Sequence, residues 1–421
     1  MSDALSARAC GIDFGTSNST VACLRAGQSA LIPLEDGKIT LPSVVFFNAE
    51  DASTRFGRAG LNDYLAGYEG RLMRSLKSLL GSSLIDGHTE VHGRALQFRD
   101  LLGQFIAELK RRADRHDGGD FAQAVIGRPV YFVDDNPAAD KAAENTLAEI
   151  ARAVGFKDVS FQYEPIAAAF HYETTIQREE LVLVADIGGG TSDFSLIRLS
   201  PERARRSERH EDLLANGGVH IGGTDFDRLL SLASVMPLLG YRSRLKNQLE
   251  MPSSIFFNLA TWHTINSAYT RQVFAEQKQL AVEAAEPEKT ARLLRLIEDR
   301  AGHWLANEVE QAKISLSDQD RTRLKLERLQ TGLEQAIQRR EFEHATVTLI
   351  DKVENTVATL LRDAGVEAAR IDTVLFTGGS SGIPRLRERI AALLPQASVV
   401  ECDLFGSIGS GLAVEAARRY G

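Results

Sequence analysis

Two short segments of this sequence join a carboxylate, glycines and small hydroxyls. They are Asp13–Phe14–Gly15–Thr16–Ser17–Asn18 and Asp186–Ile187–Gly188–Gly189–Gly190–Thr191–Ser192–Asp193. Glycines lack a Cβ, so Gly15, Gly188, Gly189 and Gly190 let the backbone approach a bulky anion closely. Successive backbone N–H groups form an anion-binding concavity, to which Thr16, Ser17 and Thr191 add hydroxyl donors. Asp13 and Asp186 would repel phosphate on their own. They fit the site if they hold a Mg²⁺ ion through its waters, several of which that ion usually keeps.

Other chemistries lack their residues. No G-x-x-x-x-G-K-[ST] occurs, and no G-x-G-x-x-G follows a first strand, so neither a P-loop nor a dinucleotide fold is supported. Gly378–Gly379–Ser380–Ser381–Gly382 has the G-x-S-x-G spacing of a hydrolase nucleophile elbow, which needs its histidine later in the chain. The last histidine is His344, so the segment reads as a glycine turn. His88 and His92 lie four apart in an alternating, strand-like stretch, where same-face neighbours are two apart. They read as exposed polar residues rather than metal ligands.

Each candidate tip needs a strand to carry it. Cys10–Phe14 and the apolar run TVACL flank the first tip, and Leu181–Ala185 and FSLIRL flank the second, so both read as hairpins. Helices are expected over Leu101–Arg112, after the Asn136 cap and Pro137, after Pro165, over much of 224–316, across Leu349–Leu361, over Ile383–Leu394 and up to Tyr420. Strands are expected at Ala124–Ile126, Val159–Tyr163 and Thr373–Phe376, with a hairpin around Gly93. Strands alternating with helices indicate an α/β protein with mixed sheets, and the echoed tip at long spacing suggests a duplicated domain.

Composition bounds the rest. The 421 residues carry 49 Lys+Arg and 57 Asp+Glu, a formal charge of −8, which argues against a duplex-binding surface. The arginine-rich stretch Arg203–Arg209, interrupted by Glu208, reads as a solvated loop. Three cysteines (Cys10, Cys23, Cys402) with no C-x-x-C fit a reducing compartment. MSDALSARAC has no apolar core of a signal peptide, and no stretch is long and apolar enough to span a membrane. A cytoplasmic protein that binds neither membrane nor nucleic acid is expected.

In order along the chain, GIDFGTSNS, LKSLLG, AVIGRPVYF, EPIAAAF, ADIGGGTSDFSL, HIGGTDFD, VEQAKISLS, VLFTGGSSGIP and DLFGSIGSGLA resemble the motifs of the DnaK-type heat-shock protein 70 ATPase domain. This family lies within the actin and hexokinase superfamily. Through AVIGRP, FQYEP, MPLLG and EPEK the chain most resembles the short bacterial YegD-type chaperones in it. The resemblance implies an actin-like ATPase fold of two lobes, 1–178 and 179–421, with ATP and Mg²⁺ in the cleft between them.

Site roles also follow from the resemblance. Asp13 and Asp186 would hold Mg²⁺. Lys77, Glu164, Asp193 and Thr191 would be catalytic, positioning the attacking water beside the γ-phosphate. Gly15, Thr16, Ser17, Gly188, Gly189, Gly190, Gly222 and Gly223 would meet phosphate. Glu310 and Lys313 would meet the ribose, and Gly379 and Ser380 the adenosine, with Pro129 as the interlobe proline. From spacing alone, Glu310 and Lys313 read as a surface pair on a helix.

Two positions depart from the family. Ile314 and Gly382 stand where the resemblance expects the two arginines that sandwich adenine. The sequence also stops at Gly421, directly after the last ATPase helix, so no peptide-binding sandwich or lid is expected. The expected activity is slow ATP hydrolysis in a chaperone-like switch, with a protein client or co-chaperone as further partner. The alternatives are a small-molecule kinase of the same superfamily and an actin-like filament or scaffold protein.

Overall fold

In a computed structural model of the protein, residues 8–133, 136–206, 209–401, 403 and 406–421 are described. Readings that fall on residues 1–7, Glu208, Cys402, Leu404 and Phe405 lie outside this set. The architecture rests on two five-membered strand series with the same connectivity. In the first, Asp158–Tyr163, Phe121–Arg128, Arg8–Phe14, Asn18–Arg25 and Gln28–Leu31 lie side by side, and Thr40–Pro42 also pairs with Asn18–Arg25. In the second the order is Ser398–Glu401, Thr373–Thr377, Glu180–Ile187, Ser192–Leu199 and Leu213–Val219. Both run parallel, parallel, then antiparallel twice. The duplication read from the two tips is therefore also a duplication of topology.

The central strands explain their own composition. Glu180–Ile187 is flanked on both edges, and Val182 to Ala185 are buried without alternation. A strand covered on both faces is apolar throughout, which is why its sequence shows no period of two. Helix Phe98–Asp117 buries Leu101, Leu102, Phe105, Ile106 and Leu109 on one stripe against the first sheet. Helix Pro137–Ala153 begins as expected, with the Asn136 side chain accepting the Ala139 N–H at 3.1 Å. The final helix, Ser407–Tyr420, returns to the first sheet, where Leu412 and Ala416 pack on Val125 and Ala167. A Cβ at Gly411 would collide with the Ala167 carbonyl, so only glycine lets the helix approach this closely.

One expectation is corrected here. Arg205 and Arg206 are exposed, as a solvated loop would have them, but Arg203 and Arg209 are not solvated. Arg209 is 2% exposed and donates to Glu173 at 2.8 and 2.9 Å, while Arg203 and Arg209 both pair with buried Asp212. Buried charges persist only when paired and hydrogen-bonded, and here two arginines neutralise two carboxylates under the second sheet.

Candidate functional site

The two glycine tips meet. Gly15–Ser17 joins the antiparallel strands Arg8–Phe14 and Asn18–Arg25. Gly188–Thr191 joins Glu180–Ile187 and Ser192–Leu199, closed by Gly188 N–H to Thr191 O at 2.9 Å. A Cβ on Gly189 would collide with Ser17 Oγ, so the first tip sits directly against the second. The first is braced from behind, because Ser43 donates to Gly15 O at 2.7 Å. Thr16 and Ser17 are half-buried, whereas Thr191 is exposed and donates to Asp193 Oδ2 at 2.8 Å.

Below the tips lies a concentration of carboxylates. Asp13 is three residues into the ladder with Asn18–Arg25, and Asp186 lies opposite Asp193 and beside Thr377. Lys77, on a single 3₁₀ turn after Ser75, forms an ion pair with buried Glu164 at the start of helix Glu164–Glu173. Burial, then the Glu164 charge, pushes the Asp13 carboxyl up to about 7, against the pull of Lys77. Burial, then Asp193, Glu164 and Asp13, pushes Asp186 up to about 8. Burial alone would lower Lys77, but Glu164, Asp13 and Asp186 outweigh it and hold the ammonium above its ordinary value. One ammonium thus faces several acids, and two of these resist ionising, first because burial removes their water and then because the acids around them outnumber the positive charge. That deficit is what a divalent cation would relieve. Among the described residues no group of three or more His, Cys, Asp or Glu converges as direct ligands. Two carboxylates short of positive charge suit a hard cation that keeps several of its waters, such as Mg²⁺.

The second lobe adds a wall. Helix Gly223–Leu230 starts against the second tip, with Gly223 N–H donating to Gly188 O at 3.0 Å and Thr224 N–H to Gly189 O at 2.8 Å. Gly222 lies beside Gly189 and Gly190. After strand Thr373–Thr377 the backbone turns at Gly378, whose φ of +79° and contact with Asp186 exclude any side chain. The turn Gly379–Gly382 follows, and Ser380 Oγ donates to Gly188 O at 2.9 Å. Ser380 thus braces the second glycine tip, in keeping with the glycine turn read from its sequence context.

Lys313 is not a surface lysine. At 7% exposure it pairs with Asp227 at 2.9 Å and donates to Gly223 O at 3.2 Å, while Glu310 on the same helix is half-buried. Asp227 escaped the sequence reading although it lies in HIGGTDFD, because its partner is 86 residues away and no spacing links them. Ile314 is 50% exposed on the same helix, and Gly382 has no positive φ. His88 and His92 are both exposed, as expected, His92 with a φ of +49° at a hairpin turn. Cys10 and Cys23 are free and buried. No described helix is long and apolar enough to cross a membrane.

Two topologically equivalent lobes closing on paired glycine tips define an actin-like ATPase fold. The sequence model of the Hsp70 protein family matches residues 9–235 and 283–419, and the chain belongs to that family. Among curated proteins it resembles the "Chaperone protein HscA homolog" of Shewanella oneidensis, 26% identical over 97% of this chain. It also resembles those of Shewanella putrefaciens (27%) and Actinobacillus pleuropneumoniae (26%), each again over 97% of this chain. The chain spans 57–58% of the length of these relatives.

Proposed function

We propose that the chain binds ATP with Mg²⁺ between lobe I (1–178) and lobe II (179–421, its last helix packed back on lobe I) and hydrolyses it slowly. Closing and opening of the lobes would then act as a switch in a chaperone-like protein. The observation that carries this reading is the contact of Ser17 with Gly189 above the cluster of Asp13, Asp186, Glu164 and Lys77. Phosphoryl transfer needs little covalent chemistry from the protein and depends on positioning and charge stabilisation.

The residues divide that work. Backbone N–H groups of Gly15 and Gly188–Gly190, with Thr16 and Ser17, cradle the phosphates, and Gly222 and Gly223 extend the cradle. Mg²⁺, held through water by Asp13 and Asp186, would neutralise phosphate charge. Lys77, aimed by Glu164, presents its charge to the γ-phosphate, while Glu164, Thr191 and Asp193 orient the attacking water. Glu310 faces the ribose. Lys313, committed to Asp227 and Gly223, shapes that wall with Gly379 and Ser380 on the adenosine side. The relatives, named as chaperones, support a chaperone role, with a protein client or co-chaperone as partner.

The test is a purified-protein assay with MgATP that follows free phosphate, small-molecule phosphorylation and light scattering together. Phosphate release matching ATP loss supports the reading. Transfer of the terminal phosphate to a metabolite would replace it with a kinase, and ATP-triggered scattering with a filament protein.

A further inference from the structure

The root of the first hairpin holds two thiols that the nucleotide site does not use. In the antiparallel ladder of Arg8–Phe14 with Asn18–Arg25, Gly11 lies opposite Ala22 and Ile12 opposite Val21. Continuing that register by one residue sets Cys10 opposite Cys23. Both side chains lie on the face that packs against helix Phe98–Asp117, in one core with Ile12, Val21, Leu109 and Ala113. Directly opposed residues of an antiparallel pair have Cα atoms about 4.5–5.5 Å apart, and a disulfide spans about 4.4–6.8 Å. The two sulfurs can therefore bond at the existing strand spacing.

The pair sits near the sheet edge under a lid of ions. Just past Arg25 the chain turns through Ala26 and Gly27, both at positive φ, into the edge strand Gln28–Leu31. Beside Cys23, Asp117 at the end of the helix accepts from exposed Arg25 at 2.6 and 3.2 Å and also pairs with exposed Arg8. Exposed ion pairs contribute little and are screened by salt, and hairpin ends open at low cost. Burial, then Asp117, holds the Cys23 thiol above its ordinary value, while Arg25 and Arg8 pull it back. Cys10 has no such help: burial, then Asp114, raises it against Lys110. Once the lid parts, Cys23 meets solvent first, with two guanidinium groups beside it to stabilise a thiolate, and Cys10 stands behind it.

We propose that Cys10 and Cys23 form a peroxide-reactive dithiol that closes to an intramolecular cross-strand disulfide when the Arg8–Asp117–Arg25 lid parts. The Cys23 thiolate attacks hydrogen peroxide, so that an S–O bond forms, the O–O bond breaks and hydroxide leaves, to be neutralised by the proton Cys23 gave up. Cys10 then attacks the sulfenic sulfur. The S–S bond forms as the S–O bond breaks, and the departing hydroxide takes the Cys10 proton. The two thiols lose two electrons in all, and one peroxide becomes two waters. The new bond closes a loop that contains Asp13 and the first glycine tip, so oxidation stiffens the carrier of that tip without altering its residues. Nothing in this chemistry depends on nucleotide binding.

The test treats reduced protein with hydrogen peroxide in the absence of denaturant, then alkylates it and maps its peptides by mass spectrometry. The chain has three cysteines, so Cys402→Ser leaves only these two thiols. In that protein both should disappear together as one link between the Cys10 and Cys23 peptides, a dithiol should restore them, and hydrogen exchange in residues 8–31 should slow in the oxidised form. Adding Cys10→Ser should leave a sulfenic acid on Cys23 that dimedone captures, whereas Cys23→Ser should leave Cys10 unmodified. Asp117→Asn removes the acceptor of the lid and should speed disulfide formation about two- to tenfold. Salt should speed the wild type more than that variant. Thiols that oxidise only in urea, a link that joins two chains, dimedone captured at Cys10 instead of Cys23, or an unchanged rate in a folded Asp117→Asn protein overturns the proposal. The peroxide reaction of the wild-type chain, mapped in the same way, decides it even where a variant fails to fold.

Discussion

Replacing Asp186 by asparagine should stabilise the metal-free protein and at the same time cripple its use of MgATP. The carboxyl of Asp186 is pushed from an ordinary 3.8 to about 8 by burial and by Asp193, Glu164 and Asp13. At pH 7 the folded state therefore keeps a proton that the unfolded chain has lost. That difference spans about three pKa units, each worth about 1.36 kcal/mol, so forcing the acid into its native setting costs up to about 4 kcal/mol. Relaxation of the neighbouring acids takes part of this back, leaving about 2–4 kcal/mol for the neutral, isosteric asparagine to recover. For a chain of this length that is a rise of a few degrees in Tm. The sign with pH follows. Metal-free wild type gains stability as pH falls from about 8 towards 4, because the folded state takes up the proton first, and Asp186→Asn should show a flatter profile. Calorimetric titration supplies the other half. MgATP affinity should drop far more than the affinity for ATP without metal. A metal-free Asp186→Asn protein that melts lower than wild type would refute the electrostatic account. Equal losses for MgATP and ATP would refute the metal role.

Three further outcomes are expected. Lys77→Ala should lower kcat by about a hundredfold with nucleotide affinity little changed, since its charge acts beside the γ-phosphate; unchanged turnover in a phosphate-release assay would remove it from the site. Ile314→Arg combined with Gly382→Arg should tighten ATP selectively over GTP, by about fivefold to several hundredfold, because each guanidinium over an aromatic base contributes about 0.5–2 kcal/mol. Gly382 has no positive φ to oppose the change, and calorimetry with both nucleotides reads the result. Arg209→Ala strands Glu173 and Asp212 in the interior and should cost about 3–5 kcal/mol, measured by urea unfolding.

Local pattern carried the elements and the chemistry of the tips. The two Asp–Gly–Thr/Ser segments, the Asn136 cap, the uninterrupted apolar run of the central strand and the helical stripe of Leu101–Leu109 are written within a few residues of one another. Propensity, periodicity and turn chemistry act over that same range, so these features were legible in sequence. What tertiary structure decided depends on distances between residues far apart in the chain. No spacing announces that Lys313 turns inward to Asp227, that Arg209 is buried between two carboxylates, or that Tyr64 reaches His303 across 239 positions. The same holds for the raised carboxyl pKa values of Asp13 and Asp186, the property most specific to this cleft. Each acid is ordinary in the extended chain. Folding removes water from both and brings acids from four separate segments around one ammonium, and only that convergence creates the deficit of positive charge.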